Sequence, residues 1–421
     1  LLYGVSSLHS AGLDTRLDKD MLYKSFLKRY SDKLGISTDQ LGQTVSYCVA
    51  FVLLGASDSI LGPSLPGLAR QTGSTLQEIS LLFIARSVGS MFTSAFLGTL
   101  FDTRNGHKLM NFAMFLLSLT LLLTPVVPQL YALTIIVLLS GVGTSLLNVG
   151  GNMLIVFVHG AKVPPYMVAL HFAYSVGAFL APLLIAASVS ITGKFDLAYW
   201  FMGILMFIPM LLCHNTPAPK IIKPDDQDAQ PVKLTGPLAL FITFFFLYVC
   251  IEAGLTGWIY TYAIEMNLAD EITAAYLVST LWGMETIGRF FSIPLAARYK
   301  PMHMVITCVT GATISITLMY LFPATSAAIW TGMALLGLSL SSLFASMLAV
   351  ARAKTQLTGK TTGWLFVGAQ FGGMTLPWLV GQYFESYGPI FLMHSLMVSQ
   401  LLMVAVVWAI WRLPNLHSSH A

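Results

Sequence analysis

Apolar stretches of about 20 residues alternate with short polar interruptions along this chain, and the alternation repeats about twelve times. An α-helix rises 1.5 Å per residue, so roughly 20 residues cross the ~30 Å hydrocarbon core of a bilayer. The pattern predicts membrane helices near residues 43–67, 78–101, 108–127, 131–158, 165–191, 196–213, 236–264, 272–297, 302–322, 326–350, 361–384 and 389–412. Two polar segments punctuate the series. Residues 1–40 mix lysine, arginine and aspartate without the charged-then-apolar order of a signal peptide. They read as a cytoplasmic N-terminal extension, with a short amphipathic helix over residues 20–34. Residues 214–235, rich in Pro, Asp and Gln, read as a flexible cytoplasmic linker. Between and beyond them lie an N-terminal half, 41–213, a C-terminal half, 236–412, and a cytoplasmic tail, 413–421.

The loop charges orient the helices. With both termini on one side, that side collects eighteen of the 22 Lys and Arg residues. The opposite side holds only Arg70 and Lys194, and Arg86 and Arg289 fall inside spans. This asymmetry places both termini in the cytoplasm. The expected class is an all-α membrane protein of twelve transmembrane helices in two six-helix halves.

Composition agrees: 56% of residues are hydrophobic, 10% are charged and mean hydropathy is +0.75, far from soluble-protein values. The net charge of +4 then reflects topology, and nucleic acid is not an expected partner. Cys48, Cys213, Cys250 and Cys308 lie in or beside apolar spans without metal-ligand spacing and read as small hydrophobes. No HExxH, GxSxG, P-loop or metal-spaced cluster occurs, so no enzyme is expected, and no cofactor. Transport would run on a gradient or downhill.

Five charges sit inside the apolar spans: Asp58, Arg86, Glu252, Glu285 and Arg289. A charge at bilayer depth costs a few kcal/mol or more, and it persists where it faces a partner or a watery pathway. Asp58 and Arg86 lie at similar depth in adjacent spans and could pair; Glu285 and Arg289, four apart, share a helix face. Glu252 has no obvious local partner. Asp58 and Glu252 are therefore the candidate cation-coupling residues, for H+ or Na+, while Arg86, Glu285 and Arg289 read as gating or structural ion-pair residues.

At the second and third spans, Gly98, Asp102, Arg104, Gly106 and Lys108 resemble the cytoplasmic signature of the major facilitator superfamily, with one extra residue between Asp102 and Gly106. Asp102 and Arg104 join the gating set on this basis. Further segments resemble the superfamily's fucose/proton symporter branch and its sodium-dependent glucose transporter subgroup. They are Gly62 to Pro66, Leu147 to Asn152, Leu170 to Phe172, Ser175 to Pro182, Tyr248 to Tyr262, Gly288-Arg289, Thr358 to Lys360, and Gly372 to Pro377 with Gly381. The resemblance implies the major facilitator fold, with a substrate site near the midplane between the halves. In the fucose symporters an acidic residue in span 1 and another in span 4 are functional. Asp58 matches the first, whereas Asn148 stands at the second and cannot carry a proton.

Sugars offer hydroxyls to amides and carboxylates, and apolar faces to aromatic rings. Asn148, Asn152, His171, Tyr174, Trp258, Tyr262, Trp282 and Gln370 are the candidate substrate residues. The expected function is secondary transport of a hexose or related small polar solute by alternating access, with cation symport favoured over uniport. A monomer in the plasma membrane or an organelle membrane is expected. An exporter of amphipathic compounds or lipids and a non-transporting membrane receptor or scaffold are the alternative readings.

Overall fold

The computed structural model describes residues 35–97, 100–101, 103–219, 235–355 and 359–414. The helix expected over residues 20–34, most of the linker, and Asp102 lie outside the described residues. What is described is helical, without strands. The α-helices are α1 (Thr38–Ser59), α2 (Leu61–Thr72), α3 (Leu76–Ile79), α4 (Leu81–Phe92), α5 (Gly106–Leu123), α6 (Leu130–His159), α7 (Val163–Thr192), α8 (Asp196–Leu205) and α9 (Phe207–Asn215). After the linker come α10 (Gly236–Glu265), α11 (Glu271–Arg298), α12 (Pro301–Leu321), α13 (Ser326–Leu340), α14 (Leu343–Lys354), α15 (Gly359–Tyr387) and α16 (Phe391–Arg412).

Several predicted spans are broken rather than straight. The first bends by 52° between α1 and α2. Pro63 is the cause: it has no N–H for the carbonyl of Ser59, and its ring crowds that oxygen. Pro209 acts likewise four residues after Leu205, where α8 gives way to α9. The second span runs through α3, α4 and a π-helical stretch, Thr93–Leu97. Seven helical stretches are long and apolar enough to cross a membrane, or eight with the bent α1–α2 pair. One of the seven, Leu130–Thr192, holds both α6 and α7 in its 63 residues. Outward-facing Phe112, Phe115, Ile191, Ile204, Leu211 and Leu401 are exposed, an apolar surface that suits lipid and not water.

Helix pairing recurs in the two parts of the chain. α1 packs along α7 and α4 along α6; after the linker, α10 packs along α15 and α11 along α13. The parts meet where α7 lies against α11 and α4 against α15.

Small residues allow the close approach, because apolar packing in lipid relies on fit rather than on expelling water. A Cβ on Gly55 would strike the carbonyl oxygen of Tyr174, and one on Gly177 would strike that of Val52. The α1–α7 seam is thus closed by glycine from both sides. Gly177→Val should force the helices apart and cost about 1–3 kcal/mol or more. Reduced monodisperse yield in fluorescence-detected size-exclusion chromatography would register it, and wild-type yield and melting temperature would argue against so tight a seam.

Candidate functional site

Three carboxylates and two guanidiniums lie at bilayer depth: Arg86, Glu252, Glu285 and Arg289 on helices that pack across the seam between the two parts, and Asp58 at the C-terminal end of α1, which packs on α7. On the N-terminal side, the Arg86 guanidinium on α4 forms an ion pair with the Asp58 carboxylate on α1. Arg86 also donates to the Asp58 carbonyl at 2.9 Å and to that of Ser57 at 3.3 Å. The Tyr174 hydroxyl on α7 donates to the second Asp58 oxygen at 2.9 Å. Asp58 is therefore fully engaged, although its side chain keeps 26% exposure.

Across the seam, Arg289 on α11 pairs with Glu285 one helical turn earlier and also donates to the hydroxyl of Ser175 on α7. Glu285 is completely buried, and its second oxygen, Oε2, has no hydrogen-bond partner among the described residues. The indole N–H of Trp282, one turn away on the same helix, is likewise buried and unpartnered. Leaving such a group unpaired costs roughly 1–3 kcal/mol. The Trp282 ring meets that of Tyr174 edge-on, with centroids 6.4 Å apart. Contacts thus run from Asp58 through Tyr174 to Trp282, and separately from Glu285 through Arg289 across the seam to Ser175.

Glu252 on α10 stands apart from both pairs. It accepts a hydrogen bond from Tyr248 at 3.2 Å, makes no ion pair among the described residues, and is half-buried. Glu285, Arg289 and Asp58 are all within its electrostatic reach.

The remaining expected residues separate into two groups. Asn152 donates to the side-chain oxygen of Asn148 at 2.7 Å and to its backbone carbonyl at 2.9 Å; Asn148 itself is exposed. His171 is exposed and sits edge-on to Phe51, at 6.3 Å between centroids. Gln370 on α15 is half-buried with no hydrogen bond among the described residues. These side chains, with Tyr174, remain available to a polar solute. Trp258 and Tyr262 are not: both are fully buried. Trp258 donates to the Pro377 carbonyl at 2.7 Å and stacks on Phe384, while Tyr262 donates to the Pro323 carbonyl at 2.6 Å. Expected at the sugar site, they are packed between α10 and its neighbours, with their polar atoms already satisfied.

One end of the seam is closed by polar bonds between the parts. Arg70 pairs with Glu271 at 3.1 Å, the backbone N–H of Leu76 donates to Glu385 at 2.9 Å, and Gln77 donates to Gln382 at 3.0 Å. Phe83 against Trp258, and Gly62 against the Thr256 carbonyl, seal the level beneath. The described bonds between the parts span from this end to the level of Ser175 and Arg289. Arg104, expected to gate, is an exposed loop residue beside a shallow hollow lined by Leu100, Asn105, Lys108 and Leu109.

The sequence profile of the Major Facilitator Superfamily matches residues 47–377. The chain belongs to that superfamily. Like its other members it is a multi-pass integral membrane protein and a transporter, not an enzyme. It is similar to the Sodium-dependent glucose transporter 1 of Danio rerio, at 29% identity over 377 residues covering 80% of this chain and 64% of that protein. The human protein of the same name is 26% identical, with 79% of this chain and 72% of that one covered. A Major facilitator superfamily domain-containing protein 4A of Danio rerio is 25% identical, covering 82% and 83%. Among solved structures, a point mutant of the nucleoside transporter NupG superposes with a TM-score of 0.70 at 14% identity, covering 89% of this chain and 99% of that one. At that identity the likeness concerns the fold.

Within this superfamily member two site residues carried no role in the sequence reading. Tyr248 was within reach of inference, since it lies four residues before Glu252 on the same helix face. Ser175 was not, because its partner Arg289 is 114 residues away on the other side of the seam.

Proposed function

We propose that this protein is a twelve-helix secondary transporter that moves a hexose or a related small polar solute by alternating access, driven by a cation. Glu252 carries the proposal. At bilayer depth three carboxylates meet only two guanidiniums, and both guanidiniums are taken by Asp58 and Glu285. One negative charge is left over at bilayer depth, on a side chain that is not sealed from solvent. A proton or Na+ bound there removes the imbalance and ties the energetics of the seam to a cation gradient. Asp58 is the weaker candidate, because Arg86 and Tyr174 already satisfy both of its oxygens.

Two of the relatives are named Sodium-dependent glucose transporter 1, which favours Na+ and a hexose. Taking each broken run as one crossing, this reading assigns the sixteen described α-helices to twelve spans. An even number leaves both ends of the chain on one side, and the Lys and Arg bias makes that side cytoplasmic. The end closed by Arg70–Glu271 is then on the non-cytoplasmic side, so the solute side chains Asn148, Asn152, His171, Tyr174 and Gln370 are reached from the cytoplasm.

Uptake of radiolabelled glucose by proteoliposomes, under imposed Na+ and H+ gradients in turn, tests the proposal. Accumulation above equilibrium under one gradient, collapsed by its ionophore, is the expected result. No uptake of any monosaccharide under either gradient would overturn it.

A further inference from the structure

We infer that Trp282 and Glu285 together form a recognition subsite for one hydroxyl group of the transported solute. The indole N–H can only donate and the free carboxylate oxygen accepts, so the two atoms ask for a group that does both. They are one turn apart on α11, at the spacing where helical side chains share a face. An alcohol oxygen accepts from the indole with a lone pair and donates its proton to Oε2. A protonated amine has no lone pair for the indole, and a carboxylate or phosphate would face Glu285 as a like charge. Polyhydroxylic solutes therefore fit, which deepens the hexose-transport proposal on which this subsite rests.

The surroundings explain how such a pair is reached. Trp282 lies where α11 packs on α7, edge-on to Tyr174, with Ser279 donating to the Phe179 carbonyl at 3.1 Å and Gly283 facing the Phe179 ring; Glu285, one turn on, is tied to α7 through Arg289, which donates to Ser175. Buried polar groups are ordinarily hydrogen-bonded, and two orphans on one face of one helix are an exception that packing alone does not explain. Separation of α7 from α11 breaks the contacts that hold Trp282 against Tyr174 and Arg289, the partner of Glu285, against Ser175. The subsite is thus occluded in this conformation and offered in the one where the seam opens, so the hydroxyl is bound differently by the two states, which is the requirement for a solute to drive their exchange. Arg289 holds the other Glu285 oxygen, leaving Oε2 oriented for the solute.

The test is a comparison of D-glucose with its monodeoxy analogues on wild-type protein and Trp282→Phe, which keeps an aromatic ring while losing the indole donor and part of the ring volume. Competition is read in proteoliposome uptake and, for variants that bind without transporting, in ligand-induced thermal shift of the purified protein. Hydrogen bonds to charged groups correspond to roughly 10- to 100-fold in affinity. Wild type should therefore discriminate against one deoxy position by about tenfold or more, and Trp282→Phe should reduce that discrimination to less than about threefold. If Trp282→Phe does not yield folded protein, Glu285→Gln is read in the same way, since its amide can still accept from Arg289 while losing the second acceptor. Full discrimination in the variant, or none at any position in wild type, overturns the subsite and leaves hexose transport standing. Wild-type protein that neither binds nor transports a monosaccharide overturns both.

Discussion

Glu252→Gln is expected to lower gradient-driven uptake by about 100-fold or more while glucose exchange at equal concentrations continues. Glutamine keeps the size of the side chain and can still accept from Tyr248, so helix packing is preserved. What it removes is the one carboxylate at bilayer depth without an ion-pair partner among the described residues. An unpaired buried charge is worth roughly 3–5 kcal/mol. At about 1.4 kcal/mol per decade that corresponds to two or more orders of magnitude in cation affinity. The partial exposure of Glu252 moves the expectation toward the lower end. Asp58→Asn should behave differently: it strands Arg86 and lowers stability before it changes coupling. Parallel measurement of driven uptake, exchange and thermal stability separates the two residues. If Glu252→Gln retains wild-type dependence on the gradient, Glu252 is not the coupling site.

Arg289→Ala should destabilise the folded protein by about 3–5 kcal/mol, the largest loss expected from any single change at the seam. Glu285 has 0% exposure, so without its guanidinium partner a carboxylate would remain in a low-dielectric interior with neither oxygen ion-paired. The 29% exposure of the Arg289 side chain lets water soften the loss without reaching Glu285. Ser175→Ala removes only the neutral contact across the seam and should cost about 1 kcal/mol. The double change Glu285→Gln with Arg289→Gln should recover a large part of the loss, because no buried charge is left behind. Thermal unfolding in detergent, with the double variant closing a mutant cycle, provides the measurement. An Arg289→Ala protein within about 0.5 kcal/mol of wild type would mean that the ion pair contributes little to folding.

Some of the site could be read directly. Glu285–Arg289 follows from helical spacing, and Asn148–Asn152 has the same four-residue interval. Asp58–Arg86 follows from the equal depth of the two residues in adjacent spans. These relations are local, or depend on depth alone, and apolar span boundaries define depth well. The aromatic candidates were less legible. Trp258 and Tyr262 sit among small and polar residues, a setting shared by sugar sites and by helix seams; the rotation of α10 against α15 places Trp258 in the core. Trp282, chemically similar, lies instead at the α7–α11 boundary with its N–H unsatisfied. Nothing in the chain immediately around either tryptophan distinguishes the two.

Hydropathy and charge bias act over single spans and loops, so the linear chain already contains a multi-pass helical protein, a likeness to the superfamily and the inventory of five intramembrane charges. Partnership is a different matter. Which further bonds complete each ion pair depends on helix rotation and on residues more than 100 positions away, as with Tyr174 on Asp58 and Ser175 on Arg289. Those contacts exist only after the helices have packed and the two parts have met, and the packed fold leaves Glu252, alone of the three intramembrane carboxylates, without an ion-pair partner among the described residues.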